Sequence, residues 1–131
     1  SVFDTRVARR DPDRGLVELT FDGGSLLAPN RAVTTGATVR VRIPAREVIL
    51  ATSRPDGLSL HNVIAGTVAS IHPDPSADQV IVRIDVGQVL LLAEVTRDAI
   101  ERLGIDVGAH VYALVKSVSV SVVGSVEPTW P

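Results

Sequence analysis

An all-β fold, two related β-barrels in tandem with one short helix, is predicted by three features of the sequence. Short runs rich in Val, Ile and Leu recur along the 131 residues, separated by Gly, Pro and Asp. Several of these runs alternate apolar and polar residues, the period-two pattern of a strand with one face buried. The second half of the chain then repeats the order of elements in the first.

The elements follow in order. Leu16 to Phe21 alternates and stops at Asp22-Gly23-Gly24, a hairpin signal, so Ser25 to Ala28 is the returning strand. Asn30 and Arg31 follow in a loop. Thr38 to Pro44 sets Val39, Val41 and Ile43 on one face and Thr38, Arg40 and Arg42 on the other. Val48 to Thr52 continues or restarts that strand, and Ser53 to Gly57 is a polar link with breakers. Val63 to Ile71, Gln79 to Val86 and Val89 to Val95 read as strands, with a proline-containing turn from His72 to Asp78. One segment reads as helix: Thr96 is a good N-cap, Asp98 suits the first turn, Ile100 and Leu103 share a face, and Gly104 fits the left-handed position after the last turn. At two turns it needs packing to persist. The run from Val111 to Val123 reads as a final strand.

The repeat shows in three matches. Arg6-Val7-Ala8 resembles Thr67-Val68-Ala69, Leu16 to Leu27 resembles Val80 to Leu91, and Gly36-Ala37-Thr38-Val39 resembles Gly108-Ala109-His110-Val111. The offset grows between the first match and the last, and the surplus coincides with the helix. The chain therefore divides into a first half (1–53), a linker (54–58) and a second half (59–131). Each half is small for a core of its own, so the two are expected to bury surface against each other or a second chain. Five-stranded, partly open barrels of the OB type suit this size and hairpin content.

Composition excludes several functions. Net charge is −2 and the aromatics are only Phe3, Phe21, Tyr112 and Trp130. That is neither the basic groove nor the stacking platform of a nucleic-acid binder. With no cysteine, disulfides and thiolate chemistry are absent. No run approaches the roughly 20 apolar residues of a membrane span, and no secretory signal pattern opens the chain. His61, His72 and His110 lack metal-site spacing, no Gly-rich phosphate loop occurs, and no nucleophile–base pattern is present. A non-catalytic cytosolic domain without a cofactor is the expectation.

Lys116 stands out as the only lysine, and by strand parity it falls on the apolar side with Tyr112, Leu114 and Val118. Two explanations stay open at this point. A strand end or bulge lets the ammonium reach water over its own stem. Alternatively, it is a partly buried cation that an anion would stabilise. In the repeat alignment Lys116-Ser117 corresponds to Pro44-Ala45, so the scaffold does not itself require the lysine.

Two stretches together carry a family resemblance. "SLHNVIAGTV" (59–68) and "VYALVKSVSV" (111–120) flank a hairpin and helix, and the set resembles the molybdate-binding Mop module. "GATVRVRIPAREVILATSRPDG" (36–57) resembles the matching half of the C-terminal regulatory region of molybdate importer ATP-binding subunits. The resemblance implies tandem OB-like barrels of the TOBE or di-Mop type, usually paired as homodimers. It implies molybdate or tungstate as ligand, an attached N-terminal ATP-binding domain and a membrane permease. The location implied is cytoplasmic, at the inner face of the membrane. By motif position it assigns oxyanion binding to Ser59, Leu60, His61, Asn62, Thr96, Lys116 and Ser117. His61 stands where the family usually has Arg, so binding is expected to tighten below about pH 6.5, where histidine ordinarily gains charge. Two other functions fit the same module: a structural dimerisation domain with a decayed site, or an intracellular oxyanion store.

Overall fold

The computed structural model describes residues 1–29 and 32–125; the loop residues Asn30 and Arg31, and Trp130, lie outside them. Ten strands form two five-stranded sheets, as the all-β expectation requires. The first half supplies β1 (Val2–Asp11), β2 (Leu16–Phe21), β3 (Gly24–Pro29), β4 (Thr38–Arg42) and β5 (Ile49–Ala51). The second supplies β6 (Asn62–Pro73), β7 (Gln79–Val86), β8 (Val89–Thr96), β9 (His110–Val115) and β10 (Ser121–Ser125). The one α-helix among the described residues, α1 (Arg97–Leu103), follows β8.

Local chemistry explains most boundaries. In β7 the burial alternates residue by residue, with Val80, Val82, Ile84 and Val86 inward. In β4, Val39 and Val41 point in while Thr38, Arg40 and Arg42 point out. The Thr96 hydroxyl accepts a hydrogen bond from the Ala99 N–H at 3.1 Å, and Gly104 ends α1 at φ 64°. β6 runs on through Pro73, so the turn before β7 is shorter than the sequence suggested. Asp74 holds that turn, accepting from the Ser76 N–H and hydroxyl, and these bonds lower its carboxyl below the ordinary range.

The sheets do not follow chain order. One runs β10-β4-β1-β2-β3 and the other β5-β9-β6-β7-β8. Each half thus lends its last strand to the other half's sheet, so the sheets do not divide at residues 53/54 as the repeats do. A single 3₁₀ turn makes each crossover: η1 (Ala45–Glu47) between β4 and β5, and η2 (Ser117–Ser119) between β9 and β10. The two turns approach each other where the Ser119 hydroxyl faces Glu47 Oε2 at 3.5 Å. The apolar side chains form one continuous cluster drawing on both sheets, from Val7, Leu19, Val39 and Ile43 to Ile84, Leu91, Val111 and Val115. Neither half encloses this core alone, which resolves the size problem posed by the sequence.

The final segment corrects the sequence reading. Val111 to Val123 is not one strand: β9 stops at Val115, and Lys116 caps η2 at φ −65°, ψ 144°. The parity argument therefore fails at Lys116, which is exposed rather than set on an apolar face. Pro44, its counterpart in the repeat, caps η1 with nearly the same backbone, φ −63°, ψ 134°.

Candidate functional site

The pairing of β6 with β9 begins at Asn62↔Val115. Continuing that antiparallel register by one and two residues brings His61 beside Lys116 and Leu60 beside Ser117. The strands have separated there, as the 52–61 loop arrives and η2 departs. The result is an open cleft of about 260 Å³ lined by Ser59, Leu60, His61, Lys116, Ser117 and Val118. Five of the seven residues named from sequence meet in it.

The donor set of this cleft is distinctive. It holds one ammonium, two hydroxyls and an imidazole, and no carboxylate among the described residues that line it. Three polar residues are buried in the described structure: Thr5, Asn62 and Ser117. The Thr5 hydroxyl donates to the Val39 carbonyl at 3.2 Å, and the Asn62 amide is fully engaged. Ser117, only 8% exposed, lends its hydroxyl to no partner among the described residues. Its Oγ is left to the cleft. Its O–H is therefore available to an incoming acceptor.

Asn62 and Thr96 are placed differently. Asn62 is 3% exposed, and its side chain accepts from the Leu27 N–H at 2.8 Å and donates to the Leu27 carbonyl at 2.9 Å. It imitates a neighbouring strand, satisfying a β3 peptide at the sheet edge and tying β6 to the other sheet. The Asn62 side chain is thus committed to the fold, while its backbone starts the strand that sets the cleft. Asn62→Ala is expected to cost about 2–4 kcal/mol by leaving Leu27 groups unpaired; the midpoint of urea unfolding measures it. Thr96 borders another cleft, with Arg46, Leu50, Glu94, Ala99 and Leu103, which shares no residue with the Lys116 cleft. Its hydroxyl oxygen already caps α1.

Val118 escaped the sequence reading. It lines the cleft and is 73% exposed. Treating the segment as a strand hid it; the match of Lys116 to a proline was the available signal that a turn, with an outward residue, follows.

Comparisons with known proteins bear on this geometry. Residues 58–122 match the TOBE domain model. The chain is 42% identical over 130 residues to the molybdenum import ATP-binding protein ModC of Granulibacter bethesdensis, covering 95% of this chain and 35% of that protein. It is 40% identical to the ModC of Mesorhizobium japonicum, over 91% of this chain and 32% of that protein. The chain thus spans about a third of the length of these relatives. The crystal structure of the cytoplasmic molybdate-binding protein ModG with molybdate bound superposes with a TM-score of 0.79, covering 92% of this chain and 93% of that chain at 24% identity. That likeness establishes a shared fold. With its crossed five-stranded sheets, its match to the domain model and its aligned relatives, this chain belongs to the TOBE domain family.

Proposed function

We propose that this chain is a regulatory domain that binds a tetrahedral oxyanion, molybdate or tungstate, through Ser59, Leu60, His61, Lys116 and Ser117. The observation that carries the reading is the Ser117 hydroxyl, without a partner among the described residues and open to the cleft, beside the protein's only lysine, with no carboxylate among the described residues that line it. The names of the relatives, molybdenum import ATP-binding proteins, and the molybdate bound in the structural neighbour support this ion; in this reading the domain serves an ATP-binding subunit at the cytoplasmic face of an importer with a membrane permease. Charge-assisted hydrogen bonds contribute about 1.5–3 kcal/mol each. Four or five such bonds, less desolvation and ordering, reach micromolar affinity or better.

In this reading two copies pair, and Thr96 of a second copy completes the cleft. Two observations favour a second copy: Thr96 lies away from Lys116 in its own chain, and the cleft's Val118 stands exposed. Asn62 contributes through its backbone position rather than its amide.

Dialysis against molybdate, sulfate and phosphate, followed by metal analysis, tests the reading. Molybdenum retained at a fixed ratio to the chain, and not displaced by phosphate, is the expected result. A chain that retains none is a structural dimerisation domain instead, and many ions per assembly would indicate storage. His61 adds a second expectation, because its ring offers an N–H to an oxyanion oxygen. Calorimetric affinity for molybdate is expected to fall several-fold in His61→Ala. An affinity equal to the parent's would remove His61 from the site.

A further inference from the structure

The two crossovers have the same shape but different restraints. η1 carries the chain from β4 to β5, the edge strand of the second sheet, and Pro44 fixes φ at its first position. η2 carries the chain from β9 to β10, the edge strand of the first sheet, and at the equivalent position it has Lys116. Neither cap has a side-chain hydrogen bond. Within itself η2 has two backbone bonds, Ser119 N–H to the Lys116 carbonyl at 3.0 Å and Val120 N–H to the Ser117 carbonyl at 3.1 Å, and outside it the Ser119 hydroxyl reaches Glu47 Oε2 at 3.5 Å and Ser117 is buried. A turn this short is marginal without outside contacts.

Beyond η2, Val120 is buried in the core, and among the described residues β10 pairs only with β4, through a register shift between Val122 and Gly124. Val123, Gly124 and Ser125 are exposed. Such a short, irregular edge strand sits at the low end of local stability. Three of the residues that line the cleft, Lys116, Ser117 and Val118, thus belong to the hinge from which β10 is hung.

We propose that the cleft is a clasp: an oxyanion bound by Lys116 and Ser117 does for η2 what Pro44 does permanently for η1, and so fastens β10 onto β4. The inference rests on the binding site proposed above and adds its readout. An anion joining Lys116 and Ser117 to the Ser59–His61 loop restricts η2 and lowers the entropy lost when β10 pairs. By linkage, β10 pairing then raises oxyanion affinity by the same factor. Occupancy of a site in the second half is thereby reported at the edge of the first sheet, where β4 also pairs with β1.

Hydrogen exchange by mass spectrometry, with and without molybdate, tests this, with calorimetry run on the same sample. Amides of 121–125 and of 38–42 should exchange several-fold more slowly with molybdate, while those of β7 stay unchanged. Lys116→Pro, copying Pro44, should show β10 protected without any ligand and should lose the response to molybdate. Binding heat with unchanged exchange at 121–125 would overturn the clasp and leave the site standing. Absence of binding heat in the parent would overturn both. A folded Lys116→Pro protein whose β10 exchanges like the ligand-free parent would also overturn the clasp.

Discussion

Lys116→Ala is expected to lower molybdate affinity by about 10–100-fold, the effect of deleting one charge-assisted hydrogen bond, with little change in stability. Lys116 is exposed, makes no ion pair among the described residues, and corresponds to a proline in the other half. Its removal therefore takes nothing from the core. Ser117→Ala should give a smaller loss of affinity, again with little change in stability, because its hydroxyl bonds to no partner among the described residues. Calorimetry with molybdate, paired with urea unfolding of each variant, separates the two effects. If Lys116→Ala binds as well as the parent, the assignment of the cleft is wrong.

The same variant locates the missing hydroxyl. Where each site takes Lys116 from one copy and Thr96 from the other, Lys116→Ala and Thr96→Ala homodimers are both impaired. Mixed dimers of the two variants then carry one site that lacks both residues and one that is intact. Binding recovered on mixing and re-equilibrating the two proteins would establish shared sites. No recovery, from two variants that each fold and pair, would put Thr96 outside the site.

How much of this was readable without coordinates depends on how local the information is. β2 and β7 begin and end where their alternation does, because one buried face and a following turn fix them from within. α1 was readable for the same reason: its stop and start signals, Thr96 and Gly104, lie within the segment they control. β5 and β10 were not readable as partners of the opposite half. They are three and five residues long, and their pairing is decided by strands about 60 or more residues away in sequence. The site divides along the same line. The motif positions brought Ser59, Leu60, His61, Lys116 and Ser117 forward, and the β6–β9 register gathers them. The Asn62 amide lies outside any motif logic, because its partner Leu27 belongs to the other sheet. The Lys116 parity failed because a strand was assumed to continue through a residue whose repeat counterpart, Pro44, stands at a strand end.

Gly87→Ala is expected to be the most damaging single methyl in the protein, costing about 3 kcal/mol or more. Gly87 opens the β7–β8 turn, and Asp22-Gly23 forms the β2–β3 turn. The two hairpin tips meet backbone to backbone between the halves. A Cβ on Gly87 would overlap the Asp22 carbonyl oxygen and lie 2.8 Å from the Gly23 Cα, while its φ of 59° already disfavours any side chain. Two control variants separate these penalties. Gly104 has φ 64° with open space around it, so Gly104→Ala carries strain alone, about 1–2 kcal/mol. Gly23 is free of positive φ, but its Cβ would overlap the Val86 carbonyl oxygen and lie 2.7 Å from the Val86 side chain, so Gly23→Ala carries the collision alone. Urea midpoints should place Gly87→Ala below both. The double variant of Gly23 and Gly87 should cost less than the sum of the two, since the first methyl already forces apart the contact that the second would meet. If Gly87→Ala and Gly104→Ala are equally stable, the hairpin tips are not in contact in solution and the halves are joined by their exchanged strands, the shared core and the Asn62–Leu27 pair.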